Sequence, residues 1–214
     1  MLEMGIGLSG FALGGAFRSV LAEEANRRNT PQLTSGPFYP LMKPLDQDAD
    51  LTVIAGKQGR AQGKVIHLIG RVLNEKSEPV SGARVEIWQA NTHGRYTHQS
   101  DPNPAPLDPG FEGYGAQTTD AEGRYRFKTI KPGAYPGTLA GMRTPHVHFQ
   151  VTGKIDRIVT QVFFPNEPLN ATDHILQALK GWRREAVIAK LMPPTKELEA
   201  DSLVALWDIS LIKG

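Results

Sequence analysis

Two histidines one residue apart, in the run RTPHVHFQV (Arg143 to Val151), carry the strongest chemical signal in this sequence. Strand side chains alternate between faces, so His146 and His148 point one way and Val147 the other. Two imidazoles converging on one spot are either a surface accident or half of a metal site, and an isolated motif of this kind is more often an ordinary surface or core pair. Cysteine is absent, which excludes disulfides, zinc–thiolate sites, iron–sulfur clusters and cysteine nucleophiles. A metal here must be held by His, Tyr, Asp or Glu. No HExxH or EF-hand pattern occurs, and the remaining histidines, His67, His93, His98 and His174, are scattered over a strand, a loop and a helix start.

Two tyrosines stand out as partners. Tyr96 lies in NTHGRYTH, where a strand runs into a long loop. Tyr135 lies in IKPGAYPG, restrained between Pro132–Gly133 and Pro136. Taken singly, each reads as a packing or loop-anchoring residue. His93 and His98 flank Tyr96, but loop histidines are usually solvated. Tyr39 and Tyr114 are candidates to line a pocket, Tyr125 reads as core, Trp88 and Trp207 fall in strands and are assigned to the core, and Trp182 is open to either environment.

The elements that must position these residues are mostly short strands. Lys64–Leu73, Ala83–Gln89, Arg124–Ile130, Val147–Val151 and Ile158–Phe164 have strand character, and Leu203–Ile212 reads as the last strand. In ARVEIWQ, Val85 and Ile87 share a face with Gln89; in RYRFKTI, Tyr125 and Phe127 share one with Thr129. Asn91–Gly123 is long and rich in Pro and Gly, the mark of a functional loop. Helical pattern is confined to about Ala171–Lys180, with Asp173 as its N-terminal cap. The pattern predicts an all-β sandwich with long functional loops and one short helix, preceded by an apolar and irregular N-terminal segment. We divide the chain into a leader-like or arm segment, residues 1–29, and a sandwich domain, residues 30–214.

Hydrophobic residues make up 40% of the 214 positions, enough for a sizeable core. With 24 Lys and Arg against 22 Asp and Glu, the formal net charge of +2 gives no reason to propose nucleic acid as a partner. MGIGLSGFALGGAF (Met4 to Phe17) is too short to span a bilayer but suits a signal h-region, and Val20-Leu21-Ala22 resembles a cleavage site. Glu3 and Arg18 are atypical for such a signal. Export to the periplasm through a truncated or atypical signal is the expectation; a cytoplasmic protein with a packing arm is the alternative.

The runs VEIWQANTHGRYTH, APLDPGFEGYGAQTTDAEGRYRFKTIKPGAYP and RTPHVHF, with TSGPFYP upstream, resemble the intradiol ring-cleavage dioxygenases. The likeness is greatest to the iron-binding (beta) subunit of protocatechuate 3,4-dioxygenase, and it covers roughly residues 30 to 164 in one order. The resemblance implies a non-haem Fe(III) held by Tyr96, Tyr135, His146 and His148, with Tyr135 the ligand that a substrate displaces. It also implies catalytic roles for Tyr135, for Arg143 as a fixed positive charge, and for Gln161 in VTQVFF as its hydrogen-bonding neighbour. Hard phenolate donors suit a ferric ion, and the ion's charge is what would stabilise phenolate near neutral pH. The implied reaction opens a catechol-type ring with O2 between its two hydroxyl-bearing carbons, giving a muconate-type dicarboxylate, in a homo-oligomer with no stable membrane span.

Gly137 stands where protocatechuate dioxygenases carry a tryptophan, which implies a smaller pocket wall and puts protocatechuate itself in doubt. About thirty residues upstream do not supply the helical domain of catechol 1,2-dioxygenases. Two other readings remain: a non-catalytic transthyretin-like sandwich module, suggested by GRVLNEKSEPVSGARVEIWQ and TTDAEGRYRF, and a zinc or ferrous site that joins His146 and His148 to a carboxylate.

Overall fold

The structure, a computed structural model, describes residues 29–44, 46–137 and 141–214. The leader-like run at residues 4–22 lies outside them. Among the described residues no helix is long and apolar enough to cross a membrane.

Two sheets pack face to face. In the first, β1 (Val65–Leu73) pairs antiparallel with β4 (Arg124–Ile130) on one side. On its other side β1 pairs in parallel with β10 (Leu203–Leu206) and then β11 (Ile209–Ser210), and β9 (Lys190–Met192) extends the edge beyond β10. The second sheet is antiparallel, in the order β3 (Tyr114–Thr118), β2 (Arg84–Trp88), β7 (His146–Thr152) and β8 (Arg157–Phe163). A two-stranded ribbon of β5 (Tyr135–Pro136) and β6 (Met142–Arg143) sits apart from both.

Alternation decides what each sheet buries. Ile66, Leu68 and Val72 of β1 and Tyr125 and Phe127 of β4 meet Val85 and Ile87 of β2 and Val147, Phe149 and Val151 of β7 in one core. The inward faces read from ARVEIWQ and RYRFKTI are the observed ones. His146 and His148 are equally buried, yet they lie on the opposite face of β7 from Val147 and Phe149, so they belong outside the sandwich core.

Three expectations change in detail. The last strand is interrupted at Trp207–Asp208, where the Asp208 carboxylate accepts the Arg71 backbone N–H at 2.8 Å in place of a ladder carbonyl. Gly70 lies opposite: a Cβ there would stand 1.8 Å from the Trp207 carbonyl oxygen, so only glycine admits this approach. The loop read across residues 91–123 contains β3, which its small residues, YGAQT, conceal. The single helix is instead a 3-10 turn, Pro168–Ala171, followed by two short helices, His174–Ala178 and Trp182–Glu185. Gly181, at φ 52°, divides the helices, and Asp173 caps the first through bonds from the Ile175 and Leu176 N–H groups.

Candidate metal centre

The outward face of the second sheet carries a straight cross-strand row. Tyr114 is registered with Trp88, Trp88 with His148, and His148 with Gln161. Trp88 stacks on the His148 ring at 5.0 Å and 8°. Trp88 is core, as read from sequence, but in a second hydrophobic cluster outside the sandwich core, where it forms the wall behind a histidine. Trp207 does lie in the sandwich core, and Trp182 is partly exposed in the second short helix.

The two tyrosines arrive from loops that are pinned to one another. Asn91 Oδ1 accepts the N–H groups of His93 and Arg95, its Nδ2 donates to the Pro106 carbonyl, and its own carbonyl accepts the Gly94 and Gly133 N–H groups. One residue therefore ties the Tyr96 turn to the Tyr135 turn. A Cβ on Gly94 (φ 78°) would stand 2.1 Å from the Ala134 carbonyl oxygen, so the turns close backbone to backbone. Asp101 Oδ2 then accepts the Tyr96 N–H at 2.7 Å, and the β5–β6 ribbon registers Tyr135 against Arg143. Sequence reasoning misses Asn91, Gly94 and Asp101. Their signal is the Asn/Gly/Asp turn chemistry of NTHGRYTHQSD, which by itself marks only a loop.

Four side-chain atoms close into a ring. Tyr96 Oη lies 3.4 Å from Tyr135 Oη, Tyr135 Oη 3.2 Å from His146 Nε2, His146 Nε2 3.2 Å from His148 Nε2, and His148 Nε2 3.1 Å from Tyr96 Oη. All four residues are buried. Nitrogen and oxygen donors about 2.1 Å from a first-row metal stand about 3.0 Å apart at right angles and about 3.4 Å apart in a tetrahedron. The observed spacings fall in that range.

Protonation fits the same purpose. His146 Nδ1 donates to the Thr144 carbonyl at 2.7 Å, which leaves the Nε2 lone pair facing the ring. His148 Nδ1 meets the Thr34 backbone without a well-aligned hydrogen bond. Burial, then the Arg143 charge, holds His146 down at about 3; burial, His146 and Arg143 hold His148 well below its ordinary value. Both are neutral imidazoles near pH 7. Burial also drives both phenols up, Tyr96 well above the usual range. For Tyr135 the rise is opposed by Arg143 and by the hydrogen bond that Tyr96 donates to it. Two neutral imidazoles and two phenols that only a cation could ionise are a donor set suited to a hard, highly charged metal.

Arg143 is held from two sides. Its Nε donates to Asp173 Oδ2 at 2.7 Å and one terminal nitrogen to Gln161 Oε1 at 2.7 Å, while Gln161 Nε2 donates to the Thr34 carbonyl at 2.8 Å. Asp173, fully buried, also accepts the Thr144 N–H. Expected from sequence as a helix cap alone, it is also the counter-ion of Arg143. Gly36, in TSGPFYP, lies over the ring: at φ 65° its Cβ would stand 3.1 Å from His148 Cε1. The other histidines do not join the ring. His93 is exposed and lies 3.4 Å from Gln62 Oε1, His174 is exposed at a helix start, and His98 is half-buried, its Nδ1 accepting the Ser100 N–H. Among the described residues no carboxylate joins His146 and His148 in a ligand-like group, which removes the basis for the zinc or ferrous reading.

A cavity of about 130 Å³ adjoins the ring, lined by Phe38, Met42, Trp88, Tyr96, His98 and Tyr114, with Glu112 in its wall. Neither Arg143 nor Gln161 borders it.

A family model described as dioxygenase matches residues 34–212. Over 168 residues the chain is 46% identical to the protocatechuate 3,4-dioxygenase beta chain of Burkholderia cepacia, covering 77% of this chain and 71% of that one. The chain belongs to the intradiol dioxygenase family. It is also 31% identical to catechol 1,2-dioxygenase 1 of Acinetobacter lwoffii, over 83% of its own length but 57% of that protein's. The dioxygenase domain of a carbohydrate-binding fusion protein from Streptomyces sp. SirexAA-E superposes with a TM-score of 0.66 at 25% identity, covering 87% of this chain and 100% of that domain. An intradiol dioxygenase fold thus houses the ring of donors, and the reading as a non-catalytic sandwich module is not favoured.

Proposed function

We propose that this intradiol dioxygenase holds Fe(III) on Tyr96, Tyr135, His146 and His148 and cleaves a catechol-type substrate with O2. The observation that carries the proposal is the closed ring of four buried donors at 3.1–3.4 Å. When bound, Fe(III) would supply the Lewis acidity that lowers the pKa of a coordinated catechol's hydroxyls and makes its ring reactive toward O2.

The chain's own residues do the rest. Tyr135 Oη is the site for a substrate proton: the Arg143 charge favours the ionised form of both phenols, but Tyr135 alone also accepts the hydrogen bond between them, which Tyr96 donates. Arg143 has Nη1 free of its bonds to Asp173 and Gln161, so that N–H group is held in place to meet developing negative charge on the substrate. Arg143 pairs with Tyr135 across the β5–β6 ribbon, which ties the backbones of the two residues together. Trp88 and Phe38 pack on His148 and Tyr96 and keep water from those two donors. Gly137, which follows Tyr135 at the start of the hairpin, favours a substrate bulkier at that wall than one matched to a tryptophan there.

Protein loaded with Fe(III) should take up about one iron per chain and show a visible tyrosinate-to-iron absorption band. Oxygen uptake should follow with at least one of catechol, protocatechuate, hydroxyquinol or a substituted catechol. Tyr135→Phe should shift the band and slow turnover. A protein that stays colourless under Fe(III) loading would sink the proposal.

A further inference from the structure

Away from the ring, carboxylate oxygens of Asp46, Asp48 and Glu112 lie within 4.8 Å of one another. Glu112 is the unusual member. It is 8% exposed, and neither of its carboxylate oxygens has a hydrogen-bond partner. Among the described residues none of the three is in an ion pair. Glu86, on the same side of the molecule and 2% exposed, shows the contrast: Lys43, Tyr114 and Gln150 all bond to its carboxylate. A buried carboxylate without partners is strongly destabilising unless a proton or a cation compensates it.

We propose that Asp46, Asp48 and Glu112 form a second cation site, built from oxygen donors only and suited to Ca²⁺, that pins the lead-in segment to the loop behind Tyr96. Hard carboxylate oxygens with no nitrogen or sulfur select a hard divalent ion, and an irregular, partly solvated site suits Ca²⁺ better than the stricter octahedron of Mg²⁺. Asp48 is exposed and Asp46 half-buried, so the ion has an entry path and room for water ligands. Backbone bonds already join the two segments, since the Glu112 N–H donates to the Leu51 carbonyl and the Ala116 N–H to the Gln47 carbonyl. Burial, then the charges of Asp46, Asp48 and Asp50, pushes the Glu112 carboxyl up to about 8, as expected where a counter-ion is lacking. The loop that Glu112 anchors continues into Gly113 and Tyr114, which line the cavity against Tyr96.

Titration of the iron-loaded full chain with CaCl2 by calorimetry, with MgCl2 alongside, tests the site. Saturable Ca²⁺ binding in the range of about 10⁻⁴–10⁻³ M is expected, weaker for Mg²⁺. Ca²⁺ at ten times its dissociation constant should raise the unfolding midpoint by roughly 3 °C. Glu112→Gln and Asp48→Asn should each abolish both effects and leave the iron absorption band unchanged. Asp48 is exposed, so its variant carries the test even if Glu112→Gln folds poorly. No saturable Ca²⁺ heat at millimolar concentration, or equal binding by wild type and both variants, would overturn the proposal and make Glu112 a neutral buried acid. The band is read separately, so loss of the ferric site and loss of the Ca²⁺ site are distinguishable.

Discussion

The outward faces of the two sheets each bury histidines at 1% exposure, and they put them to different use. On the first sheet, His67 Nε2 lies 2.8 Å from Glu199, which also takes Lys128 at 2.7 Å, and Arg126 approaches His67 Nδ1 at 3.4 Å. Every polar atom of that imidazole is engaged by a charged side chain. On the second sheet, His146 and His148 meet phenols and each other, with no carboxylate among the donors. Burial alone does not make a ligand. The difference lies in what faces the imidazole: an ion-pair network consumes its nitrogens, whereas phenols leave lone pairs pointing at one centre.

Exchanging the same mutation between the faces should break this comparison most sharply. His148→Ala should lower iron affinity by more than the roughly 100-fold typical of outer-shell losses, and abolish the absorption band. His67→Ala removes an equally buried ring and should leave iron content and band intact, with a loss of stability only. Iron analysis of both variants by mass spectrometry checks the pair, and equal iron loss in both would end the distinction.

Asp173→Asn sharpens the contrast within the site's own face. Asn still caps the helix and still accepts one hydrogen bond, but Arg143 loses its buried counter-charge. Turnover should fall about 10–100-fold with iron retained. The fall should appear in kcat more than in KM, because Asp173 acts by positioning Arg143. Unchanged kcat would make Asp173 a cap and nothing more.

The two halves of the site differ in how far they can be read from sequence. Period-two alternation in RTPHVHFQV places His146 and His148 on one face, and register then brings Gln161 beside His148. Neither argument reaches Tyr96 or Tyr135, which come from loops with no periodicity; their turn settings draw notice, but only the resemblance makes them ligands. What holds those loops, the Asn91 hub and the Gly94–Ala134 contact, rests on backbone groups distant in sequence and leaves no pattern beyond turn residues. Asp173 is half legible, since a cap uses one carboxylate oxygen and the chain thirty residues upstream decides the other. The strand β3 is hidden because alternation needs side chains, and YGAQT offers few.

The smallest of these effects is a difference in acid response between the faces of the iron-free protein. His146 has an ordinary value of 6.5 and a folded value of about 3, so below pH 6.5 the unfolded chain binds a proton that the folded chain refuses. Its contribution is complete above pH 6.5 and is lost progressively as pH falls toward 3, at up to about 1.4 kcal/mol per pH unit. His148 acts in the same direction over a window that starts at the same point. His67 is also lowered by burial, but Glu199 opposes that shift, so its folded state resists the proton less. Urea unfolding at pH 7, 5 and 4 should therefore show a flatter loss of stability in His148→Ala than in wild type, and a smaller flattening in His67→Ala. Equal slopes in the two variants would mean that the ion-pair network shields its histidine no better than the ring of phenols does.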